Sequence, residues 1–223
     1  MTSKVLGMTS KHVIGVLDLT FCDIETEEQY AKSIQERGSF ILPNSPGKNN
    51  KSSTLVTGGA LDNNSITTSS LVEVTGKKGK LEEVKAIRLG NNMIKSLKII
   101  VSPSLTSLID ITKLVWIDLS FNQISKIPDN FSEQLPNVTT IYMQANQVSR
   151  LSEIKKFSGF KDLKSLTLFG NPIEEHKHYR NMVLHSCSKL AQFDMSPVTS
   201  TERKRCEIWA NTFRKKLHPE DYW

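Results

Sequence analysis

Three polar residues in the segment LVWIDLSFNQI (residues 114–124) are of types that carry hydrolytic chemistry, namely Asp118, Ser120 and Asn122. A serine nucleophile needs a histidine base that is itself oriented by a carboxylate. The segment supplies a serine and a carboxylate but no histidine, so a Ser-His-Asp site would have no base here. These residues are therefore either an incomplete reaction site or part of a structural unit.

Other reactive residue types also lack the spacing that chemistry requires. His176, His178 and His185 cluster without Cys-x-x-Cys or HExxH spacing, which favours solvated loop histidines over a metal site. The segments GGALDNN (58–64) and GKKGK (76–80) lack the glycine-rich nucleotide patterns. The three cysteines are widely spaced and odd in number, which favours a reducing compartment over a disulfide framework. We therefore expect no enzymatic activity, no metal and no cofactor.

The segment around Asp118 recurs as VKAIRLGNNMI (84–94), VTTIYMQANQV (138–148) and LKSLTLFGNPI (163–173). All copies share one frame: apolar, two free, apolar, one free, apolar, two free, Asn, one free, apolar. Successive asparagines of the frame are separated by 30, 24 and 25 residues, a spacing typical of leucine-rich repeats. The sequence therefore predicts an α/β leucine-rich-repeat solenoid, with a short curved parallel sheet, a helical or irregular convex side and a C-terminal cap helix.

This frame predicts which face of the sheet, or which turn, each polar residue occupies. Strand residues alternate between the two faces of a sheet, so Asp118 and Ser120 project outward beside Trp116. The asparagine side chain carries both a donor and an acceptor, which can satisfy buried backbone groups of the turn and of the adjacent repeat. We expect this structural role for Asn92, Asn122, Asn146 and Asn171. On the outward, concave face we expect these residues to contact a protein partner: Arg88, Trp116, Asp118, Tyr142, Gln144 and Phe169.

Four regions follow from these patterns. Residues 81–198 hold the repeats and a capping half-repeat. Residues 1–42 form an irregular N-terminal arm with a short helix at 26–38. Within the arm, IGVLDLTFCDI (14–24) matches the frame with cysteine at the asparagine position, either as an extra strand, as a detached repeat or by coincidence. Residues 43–80 are a low-complexity linker or insertion, rich in residues that bury little apolar surface.

Residues 199–223 form a basic C-terminal helix and tail. Thr199 and Glu202 make a capping box at its start, and apolar residues follow at helical spacing. The helix either packs on the solenoid with a solvated basic face or binds an acidic partner. The basic residues concerned are Arg203, Lys204, Arg205, Arg214, Lys215 and Lys216.

The segments LVWIDLSFNQI, SLTLFGNPIEEHKHYRNMVL and FDMSPVTSTERKRCEIW resemble proteins with SDS22-type leucine-rich repeats and the leucine-rich-repeat cap. The resemblance covers about residues 84–210, and the chain before it matches poorly apart from LDLTF (17–21). It implies a non-enzymatic scaffold or structural protein of the cytoplasm and of the cilium or flagellum axoneme, which binds microtubule-associated proteins or tubulin. Members of this class bind dynein motor domains, phosphatase catalytic subunits or a spliceosomal partner. The alternative is therefore a regulatory subunit that docks dynein or a protein phosphatase through its concave face.

The charge of the chain fits an acidic partner. Its 223 residues carry a formal net charge of +6, which by itself suits tubulin, nucleic acid and a membrane surface equally. No apolar run approaches the roughly 18 residues needed to span a bilayer. Together with the repeats, these features lead us to expect protein partners, and neither a small-molecule substrate nor nucleic acid nor a membrane.

Overall fold

The computed structural model describes residues 15–37, 39–41, 55–56 and 84–213. Within them one sheet has nine strands, numbered β1 to β9 in chain order: Gly15–Asp18, Ser39–Ile41, Leu55–Val56, Val84–Arg88, Trp116–Asp118, Thr140–Tyr142, Ser165–Thr167, Gln192–Phe193 and Ser196–Pro197. Their order across the sheet is β3-β2-β1-β4-β5-β6-β7-β8-β9. The central strands β1 and β4 to β8 pair in parallel, each with the next. This confirms the predicted leucine-rich-repeat solenoid.

Short helical segments connect the parallel strands. The α-helices are Glu27–Arg37, Pro103–Thr106, Phe131–Gln134, Leu151–Lys155, Tyr179–Ser186 and Ser200–Phe213. The 3-10 helices are Leu97–Val101, Ile111–Lys113, Lys156–Gly159 and Pro172–Glu175. We call Glu27–Arg37 the N-terminal helix, Tyr179–Ser186 the capping helix and Ser200–Phe213 the C-terminal helix. No helix in the described ranges combines the length and the apolar character that crossing a bilayer would require.

The core is built by stacking equivalent apolar residues of successive repeats. Ile87, Ile117, Ile141 and Leu166 are register partners on neighbouring strands, and each is 0% exposed. Burying a side chain of this size stabilises the fold by about 1.5–3 kcal/mol. Because each repeat buries its apolar face against its neighbours, the array depends on units that close its two ends.

Residues 15–24 of the segment IGVLDLTFCDI take part in the solenoid as its first repeat. Strand β1 pairs in parallel with β4, and Leu17 and Leu19 are 0% exposed. The Leu19 N–H donates to the Arg88 carbonyl at 2.8 Å and so continues the ladder beyond the strand. Of the three interpretations that the sequence left open, the structure therefore selects the extra strand.

Antiparallel strands finish both edges of the parallel array. On one side β2 pairs with β1 and β3 pairs with β2, and on the other side β9 pairs with β8. A parallel edge would otherwise present a row of unpaired backbone groups. Of the predicted linker 43–80, only Leu55–Val56 is described, as strand β3, and the remainder lies outside the described residues.

Candidate protein-binding surface

The outward residues of the parallel strands form two rows across the sheet, and we call them together the open sheet face. Strand register aligns the residues within each row, and neighbours in a row belong to strands about 4.8 Å apart. The first row is Ala86, Trp116, Thr140 and Ser165. The second row is Asp18, Arg88, Asp118, Tyr142 and Thr167.

An aromatic pair lies at the centre of the open sheet face. The rings of Trp116 and Tyr142 meet edge to face, with centroids 5.7 Å apart and planes at 85°. Both side chains are only partly buried, so each keeps contact surface for a partner. Tryptophan and tyrosine pair a large apolar body with a polar hydrogen-bonding group, a combination enriched at protein interfaces.

An ion pair flanks the aromatic pair. Arg88 Nη1 donates to Asp18 Oδ2 at 2.8 Å, and the Arg88 side chain remains 43% exposed while that of Asp18 is 18% exposed. Asp118 is the register partner of Arg88 on the opposite side. Arg88 therefore lies between Asp18 and Asp118 in the second row, and its guanidinium is paired with Asp18.

Asp118 and Ser120 close a local turn and do not form a nucleophile and its orienting acid. Asp118 Oδ1 accepts hydrogen bonds from the Ser120 N–H at 3.0 Å and from its hydroxyl at 2.6 Å. Thr20 makes the same two bonds to Asp18, at 3.1 and 2.8 Å. Ser120 is 4% exposed, so its hydroxyl has little access to solvent. Recurrence in two repeats indicates a structural motif.

The remaining predicted contact residues lie at one end of the face. The Thr167 hydroxyl donates to Gln144 Oε1 and accepts from the Met143 N–H at 3.2 Å. The repeat frame placed Ser120 and Thr167 among the outward residues, but the structure buries both, because neighbouring side chains cover their hydroxyl groups. Phe169 is 36% exposed and remains available for contact.

The four frame asparagines connect each repeat with the one before it. In each, the side-chain oxygen accepts from a backbone N–H of the preceding repeat, for example from Ile94 to Asn122 at 3.0 Å and from Val148 to Asn171 at 2.9 Å. Asn146 accepts likewise from Ile124 at 3.0 Å, and Asn92 accepts from Cys22 at 2.9 Å. All four are buried. This is the bonding that the predicted structural role requires.

At the end of the array, one carboxylate takes the place of the backbone carbonyl that the next strand would supply. In an inner repeat the Leu119 N–H donates to the Tyr142 carbonyl of the next strand at 2.7 Å. The equivalent Leu168 N–H instead donates to Asp194 Oδ1 at 2.7 Å, and the Tyr179 hydroxyl donates to Asp194 Oδ2 at 2.8 Å. Burial raises the pKa of Asp194 above its usual range. The repeat frame placed Asp194 among the outward residues of the concave face, and the sequence interpretation did not assign it this capping role, although its place in the half-repeat LAQFDM was a usable signal.

The basic residues of the C-terminal helix divide into two groups. Arg203 points inward, where it donates to the Leu184 carbonyl at 2.6 Å and to the Leu190 carbonyl. Arg180 on the capping helix pairs with Glu202, with Nη2 and Oε2 3.2 Å apart. Both contacts attach the helix to the solenoid. Lys204 and Arg205 are exposed, whereas Arg214, Lys215 and Lys216 lie outside the described residues.

The other candidate chemical groups are placed as structural parts. Among the residues that the structure describes, no three His, Cys, Asp or Glu side chains are grouped to hold a metal ion. The His178 ring packs against Trp209 with centroids 5.3 Å apart. Burial raises the pKa of the Cys187 thiol to about 12, which makes the thiolate scarce at neutral pH.

Comparison with known proteins supports the assignment that the geometry suggests. The sequence profile of the family described as Leucine-rich repeat matches residues 73–218. The chain therefore belongs to the leucine-rich repeat family.

Within this family the chain is similar to proteins named leucine-rich repeat-containing protein 51. The human protein is 35% identical over 139 residues, which cover 62% of this chain and 70% of the human one. The rat protein is 38% identical over 125 residues, which cover 56% of this chain and 65% of the rat one. These similarities confirm the resemblance that the sequence motifs indicated.

A solved structure shares the fold. A chain in the crystal structure of the Drosophila melanogaster SNF/U2A′ complex matches with a TM-score of 0.53 at 21% identity, covering 60% of this chain and 76% of that chain. At this level of identity the match is evidence for the fold alone.

Proposed function

We propose that this protein is a non-enzymatic scaffold that binds a protein partner through its open sheet face. The observation that carries the proposal is the partly exposed Trp116–Tyr142 pair at the centre of that face. Aromatic residues at the centre of an interface contribute most of the binding free energy in many complexes. Neither ring belongs to the core, because Ile117 and Ile141 fill the core-facing side of the same strands.

The surroundings of the pair supply polar specificity. Arg88 offers a partly exposed guanidinium that its ion pair with Asp18 positions before a partner arrives. Rigid side chains lose less conformational entropy on binding than mobile ones. A partner would therefore place an apolar group against Trp116 and an acceptor near Arg88.

The partner that we propose is a microtubule-associated protein or tubulin in the axoneme of a cilium or flagellum. The proposal rests on the resemblance of the sequence motifs to proteins with SDS22-type leucine-rich repeats and on the net charge of +6, which suits an acidic surface. Lys204 and Arg205 on the exposed side of the C-terminal helix provide a second, electrostatic contact.

The test is retention of tagged protein in detergent-extracted axonemes. We expect the wild-type protein to remain in the axonemal fraction and Trp116→Asp to be lost from it by at least about tenfold, the effect of removing a central aromatic anchor. Glu133→Gln, an exposed change on a helix outside the open sheet face, is the matched control. Complete extraction of the wild-type protein would refute the axonemal location.

The alternative partner is an enzyme, such as dynein or a protein phosphatase, that docks on the same face. Trp116 serves either partner class, so the two are separated by co-purification from the detergent-soluble fraction. Trp116-dependent recovery of a phosphatase catalytic subunit or a dynein heavy chain would favour the regulatory role. Equal recovery with Trp116→Asp would count against any use of the open sheet face.

A further inference from the structure

The residue before the asparagine position of the frame, which Cys22 occupies in the first repeat, has a left-handed backbone. Its φ is positive in five successive repeats, at Phe21 (56°), Asn91 (56°), Phe121 (55°), Ala145 (54°) and Gly170 (71°). Glycine adopts this conformation at no steric cost, and asparagine tolerates it better than other residues. For a bulky residue such as phenylalanine it is an unusual and unfavourable conformation.

Two of these positions carry exposed phenylalanines. The side chains of Phe21 and Phe121 are 69% and 53% exposed. The equivalent positions hold Asn91 and Gly170, so the turn itself can be built without an aromatic ring. An exposed ring on a strained backbone is a feature that the fold does not need, and such features concentrate at functional positions.

The two rings lie on the same edge of the solenoid. We call the loop residues that follow the parallel strands, 19–25, 89–95, 119–125, 143–149 and 168–174, the strand-end rim. The Phe21 N–H donates to the Gly90 carbonyl at 3.4 Å, and the Asn91 N–H donates to the Ser120 carbonyl at 2.9 Å. Phe21 and Phe121 are therefore two repeats apart, about 10 Å at the usual strand spacing. Met93, 38% exposed, belongs to the repeat between them.

The charge around the rim is opposite in sign to that of the whole chain, which is +6. Within the strand-end rim the acidic residues are Asp23, Glu25 and Glu174, and the basic residue is Lys95. Lys95 is already paired with Glu25. The charge left for a partner is therefore negative.

A cleft with carboxylates opens at the end of the same rim. It has a volume of about 440 Å³ and is lined by Asn146, Gln147, Gly170, Asn171, Pro172, Glu174 and Glu175. It belongs to the two repeats that follow Phe121, so it continues the row in which the rings lie. A lysine or arginine side chain fits this lining in both charge and hydrogen bonding.

We propose that the strand-end rim binds a basic segment of a protein partner, which packs apolar side chains against Phe21 and Phe121 and places a lysine or arginine beside Glu174 and Glu175. The rim is distinct from the open sheet face, so this proposal does not depend on Trp116. An amphipathic helix presents apolar residues seven positions apart about 10 Å from each other, which matches the two strand spacings between the repeats of Phe21 and Phe121.

The test uses the full chain and two fluorescein-labelled helical peptides measured by fluorescence anisotropy. The probe is an amphipathic Leu/Lys peptide with leucines seven positions apart, and the control peptide has glutamate in place of every lysine. We expect the Leu/Lys peptide to bind, the Leu/Glu peptide to bind at least about tenfold more weakly, and the double variant Phe21→Asn/Phe121→Asn to lose at least about tenfold in affinity.

Thermal stability separates a binding role from a folding role. Because asparagine suits the left-handed conformation, we expect the unfolding midpoint of the double variant to be unchanged or to rise by up to about 4 °C. Ile208→Asn is the matched control variant, since Ile208 is 67% exposed on the C-terminal helix away from the rim, and its peptide affinity should equal that of wild type.

Three outcomes would overturn the proposal. One is equal affinity of the wild-type protein and the double variant for the Leu/Lys peptide. Another is a midpoint that falls by more than about 4 °C, which would show that the rings serve the fold. The third is a wild-type dimer in sedimentation velocity that the double variant abolishes, which would assign the rim to a second copy of this chain.

Discussion

Replacement of Asn122 by alanine tests the physical basis of the repeat. The side chain of Asn122 links two repeats, because its Oδ1 accepts from the Ile94 N–H at 3.0 Å and its Nδ2 donates to the Leu89 carbonyl at 2.9 Å. It also donates to the Leu119 and Ser120 carbonyls of its own turn, each at 3.1 Å. Asn122 is 6% exposed, so water has little access to replace these bonds.

The expected loss follows from the group that would remain unpaired. The Leu89 carbonyl keeps a bond from Asn92 Nδ2 at 3.0 Å, whereas the Ile94 N–H loses its side-chain acceptor. A buried backbone group without a partner costs about 1–3 kcal/mol, so the free energy of unfolding should fall by about 1–3 kcal/mol. This is a substantial part of the roughly 5–15 kcal/mol that stabilises a typical domain.

Urea denaturation followed by circular dichroism measures the change. Gln123→Ala is the matched control, because Gln123 is the exposed neighbour and its backbone bond to Ile94 does not involve the side chain. Its effect should stay within about 0.5 kcal/mol. A loss below about 1 kcal/mol for Asn122→Ala would refute the reasoning, because it would show that the Ile94 N–H finds another partner.

Two further predictions concern the ends of the solenoid. Tyr30 on the N-terminal helix is 0% exposed, its hydroxyl has no hydrogen-bond partner among the described residues, and burial raises its pKa. Because Tyr30→Phe removes this buried unpaired hydroxyl, it should increase the free energy of unfolding by about 1–3 kcal/mol, measured by urea titration. A decrease would show that the hydroxyl bonds to a part of the chain outside the described ranges. At the other end, the hydrogen bond from Arg180 lowers the pKa of Glu202 from 4.5. The contribution of the ionised Glu202 to the free energy of unfolding is therefore present above pH 4.5 and is lost as the pH falls through the lowered pKa. The difference in free energy of unfolding between wild type and Glu202→Gln should therefore shrink as the pH falls from 7 to 3. A difference that is the same at both pH values would contradict this linkage.

Much of the solenoid could be read from the sequence because its determinants are local. The apolar frame and the asparagine recur in every copy, and each repeat contacts its neighbours only, so no distant pairing has to be inferred. The 30-residue interval between Asn92 and Asn122 is longer than the others, and the structure fills it with three helical segments, Leu97–Val101, Pro103–Thr106 and Ile111–Lys113.

The first repeat shows where local information ended. Cys22 stands where the frame expects asparagine, so the pattern could not separate a repeat from coincidence. The asparagines bond backward to the preceding repeat, and in the described chain no parallel strand precedes β1. Its neighbour Asn92 supplies the connection from the other side, by accepting from the Cys22 and Ile24 N–H groups at 2.9 and 3.1 Å.

The candidate surface was only partly readable for the same reason. Alternation along a strand places Trp116 and Tyr142 on the outward face, but it says nothing about which outward side chains cover one another. Thr167 is 0% exposed because Gln144 of the neighbouring repeat lies over its hydroxyl. Arg203 belongs to a basic run, yet it points inward to the Leu184 carbonyl at 2.6 Å.

The sequence by itself determined the repeat frame and its apolar core positions, since these depend on residues a few positions apart. Tertiary structure alone decided how the array ends, with antiparallel strands at both edges and Asp194 in place of the next strand's carbonyl. It also decided that Phe21 and Phe121 project from a left-handed backbone on one rim. These features depend on which segments of the chain contact one another, and a local pattern of side-chain types does not specify those contacts.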